Sequence, residues 1–124
     1  MQPRKSDNST RSGESNRPLP AQLAQGLEPQ TRLALMHGLR RRILRTLNQD
    51  RTPRSTQDLR TTFPRSSLSS VSYHVFVLGE CGILTVSRVK AAPGSFTHLL
   101  TSNVAEDPQL VAVLRATESL DDVR

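Results

Sequence analysis

Between Pro64 and the Cys81-Gly82 pair, the stretch SSLSSVSYHVFVLGECGIL (Ser66–Leu84) suits one regular structure. Leu68, Val71, Val75 and Leu78 recur at spacings of three, four and three. That spacing gathers them on one helical face and does not fit a strand, where every second residue shares a side. It predicts a helix over about 67–81, ended by Gly82 in a left-handed conformation. Ser69, Tyr73, Phe76 and Glu80 fall on the opposite side, Ser70 and Val77 on one flank, and Ser72 and His74 at the margins of the apolar stripe. The helix opens with five serines in seven residues. Serine is a mediocre helix former that prefers caps, so this concentration points to a role other than stability.

The neighbouring segments define what surrounds this helix. STQDL (Ser55–Leu59) matches a capping box, in which the Ser55 hydroxyl and the Asp58 carboxylate each accept from the other's backbone N–H. A short helix from Thr56 to Phe63 follows, stopped by Pro64. Two helices joined by the tight PRSS connection have helix-turn-helix geometry. Further upstream, EPQTRLALMHGLRRRILRTLNQD (Glu28–Asp50) reads as helix, with Pro29 in its first turn and a break at Gly38. Leu39, Ile43, Leu44 and Leu47 form one apolar stripe there. Arg40, Arg41, Arg42 and Arg45 fall mostly outside it, as a solvated face first and a phosphate-facing patch second.

Downstream, ILTVSRVK and SFTHLLT flank AAPG, whose Pro93-Gly94 pair signals a turn, and together they predict a β-hairpin. Asp107-Pro108 has the form of an N-cap followed by proline at the first helical position. It opens a closing helix over 108–120 with Leu110, Val113, Leu114 and Thr117 along one side. The fold class expected is mainly α with a small β-hairpin, in one domain over 27–124 preceded by a polar tail over 1–26. That tail is rich in Ser, Asn, Arg and Pro and has little to bury, so it is expected to be disordered.

Composition narrows the function classes. The 124 residues include no Trp and only 3% aromatics, so the core is small and aliphatic. Net charge is +6, unevenly spread: residues 27–104 carry eleven basic and four acidic side chains, a surplus of +7, while residues 105–124 total −3. All the basic residues but Lys5 and Lys90 are arginine, whose planar fork suits phosphate oxygens. A polyanionic partner or solubility alone would explain the surplus. The single cysteine, Cys81, excludes an internal disulfide and a multi-cysteine metal site. The opening residues lack the hydrophobic region of a signal peptide, and no apolar stretch has the length of a membrane span; a cytoplasmic protein with no membrane association is expected.

These segments together resemble the ArsR-type winged helix-turn-helix transcription regulators. MHGLRRRILRTL (Met36–Leu47) is similar to the family's first core helix and STQDL to the helix before the recognition helix. SLSSVSYHVFVLGECGIL (Ser67–Leu84) resembles the recognition helix and its exit, and PGSFTHLL (Pro93–Leu100) the return strand of the wing. The resemblance covers about residues 28–118. Gly38 stands where the family usually has proline, Arg60 where it has a small residue, and Phe76 where it commonly places Arg or Lys. The paired cysteines of metal-sensing members, and their Asp/His ligands on the closing helix, are absent from this sequence.

The resemblance implies a dimeric, sequence-specific DNA-binding transcriptional regulator, with helix 67–81 in the major groove of double-stranded DNA and an 83–101 wing on the backbone. Small hydroxyls let a helix N-terminus approach phosphates and base edges. The candidate contacts are Ser67, Ser69, Ser70, Ser72, Tyr73 and His74 on the helix, with Arg65, Arg88 and Lys90 as phosphate partners. Leu33, Leu110, Val113 and Leu114 are the candidate homodimer residues. From Ser66 through Ser87 there is no Arg, Lys, Asn or Gln, so bidentate base reading by this helix is missing. His37, His74, His98 and Cys81 are scattered and predict no metal site, no catalytic constellation is found, and no cofactor is expected. The rival expectation is a winged-helix module that docks proteins through Tyr73, Phe76 and Val77 and never touches DNA.

Overall fold

A computed structural model describes residues 17–121 of the chain. Among them are six helices and one two-stranded antiparallel hairpin: α1 (Ala21–Ala24), α2 (Pro29–Leu35), α3 (Gly38–Asp50), α4 (Thr56–Thr62), α5 (Leu68–Glu80), β1 (Leu84–Ala92), β2 (Ser95–Ser102) and α6 (Pro108–Ala116). The local signals are realised where the side chains can satisfy them. Ser55 Oγ accepts from the Asp58 N–H and an Asp58 carboxylate oxygen accepts from the Ser55 N–H, each at 3.0 Å. Asp107 Oδ1 accepts from the Gln109 and Leu110 amides at 3.0 and 3.2 Å, leaving Pro108, which has no N–H, where a donor would lack a partner.

The end of α5 is set by Gly82, at φ +77°. The Ile83 N–H donates to the Leu78 carbonyl and the Gly82 N–H to the Gly79 carbonyl, both at 3.0 Å. This pairing closes two otherwise orphaned carbonyls and turns the chain directly into β1. Arg54 N donates to the Leu100 carbonyl and Leu100 N to the Arg54 carbonyl, at 3.1 and 2.8 Å, so the segment before α4 is tied to the base of the hairpin.

The core is aliphatic. Leu39, Ile43, Leu44 and Leu47 of α3 are buried at its centre, joined by Leu35, Leu59, Val71, Leu78, Ile83, Leu84 and Leu100. The expected tail over 1–26 is corrected in part. Leu19 and Leu27 are buried in the core, with Leu23 and Ala24 packed against it, and α1 lies between them; residues 1–16 fall outside the described residues. Leu19, Leu23 and Leu27 supply the apolar area that offsets the ordering of this stretch.

The arginine run is a second correction. Arg41 is fully buried and Arg40 nearly so, while Arg42 and Arg45 are half-buried. Arg41 donates to Asp121 through Nε (2.8 Å) and Nη2 (2.6 Å), to the Leu35 carbonyl through Nη1 (2.7 Å) and to the Arg17 carbonyl through Nη2 (3.0 Å). Arg45 donates to the Leu114 carbonyl, Thr117 Oγ1 and Asp121 Oδ2. Burying a guanidinium is tolerated only when it is paired and hydrogen-bonded, and these partners supply both conditions.

Candidate nucleic-acid interface

Helix α5 is held from one side only. Val71, His74 and Leu78 are buried and Val75 is half-buried, so the packed stripe runs through His74, and Leu68 at the expected start of the stripe is exposed. The opposite face carries Ser69, Ser72, Tyr73 and Phe76, all exposed, with Tyr73 at 59% and Phe76 at 62%. Ser70 is half-buried on the flank. Ser67 is the N-cap: its Oγ accepts from the Ser70 N–H at 3.0 Å, which commits one of its lone pairs to the helix end. The serines are thus divided, Ser67 serving the helix end and Ser69 and Ser72 facing solvent.

His74 does not belong with them. Its ring is buried between α5 and the start of α3, where it lies 4.2 Å from the His37 ring and 5.1 Å from that of Tyr73. Burial, and then the neighbouring His37 and Arg40, push its pKa down to about 3, so the ring is neutral and closed off from any phosphate. The sequence carried a usable signal: Val71, His74, Val75 and Leu78 continue one stripe as well as Leu68 begins it. Tyr73 also touches α3. Burial lowers the pKa of Arg40, and the nearby Tyr73 hydroxyl opposes this.

Exposed basic side chains lie before α5 and on the hairpin after it. Arg65 is exposed just before α5, and Arg88 and Lys90 are exposed on β1. A bulge between Val86 and Arg88 sets their orientation. Val86 pairs with Leu100 and Val89 with His98, whereas Arg88 pairs with Leu99 and Lys90 with Thr97. Arg88 and Lys90 therefore share one face of the hairpin while Val86 and Val89, three positions apart, share the other. Arg40 and Arg41, expected on a solvated face, make no part of this surface, and Arg45 is directed to α6.

The candidate interface residues on the closing helix are also corrected. Leu110, Val113 and Leu114 are 1%, 6% and 5% exposed within a single chain, because the apolar face of α6 lies on its own core. Within a single chain they leave little surface exposed. Leu33 on α2, by contrast, is 51% exposed, beside Met36 at 41%.

Among the described residues no group of three or more His, Cys, Asp or Glu side chains is placed to hold a metal ion. No helix among them is long and apolar enough to cross a membrane. Comparison with protein-family models, curated proteins and solved structures finds no match to this chain.

Proposed function

We propose that the chain is a sequence-specific DNA-binding transcriptional regulator with a winged helix-turn-helix architecture, α5 lying in the major groove and the β1–β2 hairpin on the phosphate backbone. The observation that carries this reading is the face of α5. Ser69 and Ser72 stand exposed on a helix fixed from behind by Val71, His74 and Leu78, and Arg65 before the helix and Arg88 and Lys90 on the hairpin that follows it are exposed cations. Small hydroxyls permit close approach of the backbone, and these cations supply sequence-independent attraction. Because α5 lacks bidentate base readers, discrimination rests on serine hydrogen bonds, on Tyr73 and Phe76 against thymine methyls, and on DNA shape.

The regulator works as a homodimer in this account. With Leu110, Val113 and Leu114 covered, the exposed pair Leu33 on α2 and Met36 just after it is the surface assigned to the second copy. Selection of bound fragments from a random duplex pool tests the reading: enrichment of a two-fold symmetric sequence supports it, and recovery of an unenriched pool counts against it.

A second reading draws on the same face. Tyr73 and Phe76 are large side chains left exposed on that face, as in a protein-docking surface. Substituting Phe76 by Arg separates the two readings, since added charge strengthens a DNA contact and weakens an apolar protein contact.

A further inference from the structure

An open cleft of about 650 Å³ lies between α3, the end of α4 and the turn after α6, lined in part by Arg42, Arg45, Phe63, Arg115, Glu118 and Asp121. Its volume is in the range of small-molecule sites. Three guanidiniums line it against two carboxylates, and one of those, Asp121, is also engaged by Arg41. Among the described lining residues guanidiniums thus outnumber carboxylates.

The arginines are held rather than freely solvated. Arg45 is fixed through Nε and Nη2 by the Leu114 carbonyl, Thr117 Oγ1 and the Asp121 carboxylate, at 2.7 to 3.1 Å. Its Nη1 makes no hydrogen bond among the described residues, and the side chain keeps 20% of its surface open. The Arg42 guanidinium lies over the Phe63 ring, 5.0 Å from its centroid. Arg115 is exposed on the far wall and makes no side-chain hydrogen bond or ion pair among the described residues. With Nε and Nη2 engaged, Arg45 keeps only its Nη1 hydrogens, held in a fixed direction, as charge-assisted donors to an outside oxygen.

We propose that this cleft binds a small oxyanionic ligand, a carboxylate or a phosphoryl group on a compact body, through Arg45 Nη1 and Arg115 with Arg42 as the third cation. Glu118, exposed on the same wall, opposes the ligand's charge and sets an upper limit on its affinity. The proposal is independent of whether α5 binds DNA.

The test is an NMR titration of the full chain with sodium benzoate and, separately, inorganic phosphate, each at constant ionic strength. Saturable shifts of the amides around Arg42, Arg45, Arg115 and Glu118 are expected with at least one probe; benzoate alone assigns a carboxylate ligand, and phosphate alone a phosphoryl one. Arg115→Ala is expected to weaken binding about tenfold and Glu118→Gln to strengthen it, loss of one charge-assisted hydrogen bond being of that order. Both positions are exposed, so the variants keep the fold, and the dispersion of the same spectra verifies this. Failure of both probes to saturate by about 20 mM, weaker than any specific two-arginine site, overturns the proposal, as does binding unchanged in Arg115→Ala.

Discussion

Arg41 and Asp121 meet in a two-point contact, Nε to Oδ2 at 2.8 Å and Nη2 to Oδ1 at 2.6 Å, with the arginine fully buried and the aspartate 2% exposed. The pair joins the first turn of α3 to the turn that follows α6, across 80 positions of sequence. Through Nη2 and Nη1, the same guanidinium also holds the carbonyls of Arg17 and Leu35. One side chain thus ties the N-terminal stretch, the end of α2 and the closing turn to the core. Removing one partner strands the other charge in an apolar interior. Arg41→Ala or Asp121→Ala is expected to cost about 3 to 5 kcal/mol in a urea titration. Arg51→Ala, which breaks the exposed pair with Glu106, is expected to leave the midpoint unchanged.

Stability is expected to fall as pH drops from 7 to 4.5, with His74 as the source. The His74 pKa is pushed down to about 3 in the folded chain by burial, His37 and Arg40, from the 6.5 of an ordinary histidine. In that window the unfolded chain takes up a proton that the folded chain refuses, so stability declines as pH falls, with a limiting slope of about 1.4 kcal/mol per pH unit. Burial alone would raise the Asp121 pKa, but its bonds to Arg41 and then Arg45 outweigh this and hold it low, so Asp121 adds its own loss only at more acidic pH. Urea midpoints of the parent and His74→Leu across this range check the assignment. The variant is expected to show a flatter dependence, and an equal slope would remove His74 from the account.

The two kinds of serine on α5 are expected to separate in one experiment. Ser67→Ala removes an N-cap and is expected to cost about 1 kcal/mol of stability. Ser69→Ala, on the exposed face, is expected to leave stability nearly unchanged while altering the preferred DNA sequence. Thermal melts and competition binding on both variants measure the two effects side by side.

Much of this architecture is legible in the sequence because it is local. The Ser55–Asp58 box, the Asp107-Pro108 start, the Gly82 exit and the Pro93-Gly94 turn each follow from residues within a few positions of one another. Burial that depends on distant partners is not legible in the same way. Nothing near Arg41 announces Asp121, and a buried arginine has the same letter as a solvated one. Arg40 carried a partial signal, standing three, four and seven positions before Ile43, Leu44 and Leu47, on the stripe those residues define. The apolar side of α6 was readable from Leu110, Val113 and Leu114, but not which surface covers it: periodicity reports a face and leaves its partner open. Of the candidate site, the exposure of the serines, Tyr73, Arg65, Arg88 and Lys90 follows from spacing, whereas the stripe margin at which His74 stands leaves open how deeply its ring is buried.

The assignment of the second copy to α2 predicts different outcomes for two substitutions. Leu33→Arg is expected to yield a monomer of unchanged stability, since Leu33 is exposed in a single chain. Leu110→Ala is expected to cost about 2 to 5 kcal/mol by opening the core. Sedimentation velocity read beside urea unfolding distinguishes them, and a Leu33→Arg chain that still sediments as the parent does would remove α2 from the interface.

The most direct test of the central claim is duplex binding by fluorescence anisotropy at three salt concentrations, for the parent, Arg88→Ala and Phe76→Arg. If a dimer neutralises about six phosphates, affinity is expected to fall by roughly 10³ or more between about 50 and 200 mM salt. Arg88→Ala is expected to weaken binding to all sequences alike and to flatten the salt slope, and Phe76→Arg to strengthen binding. Absence of binding to any duplex at about 50 mM salt, where phosphate contacts are least screened, would contradict the claim and leave the exposed face of α5 to a protein partner.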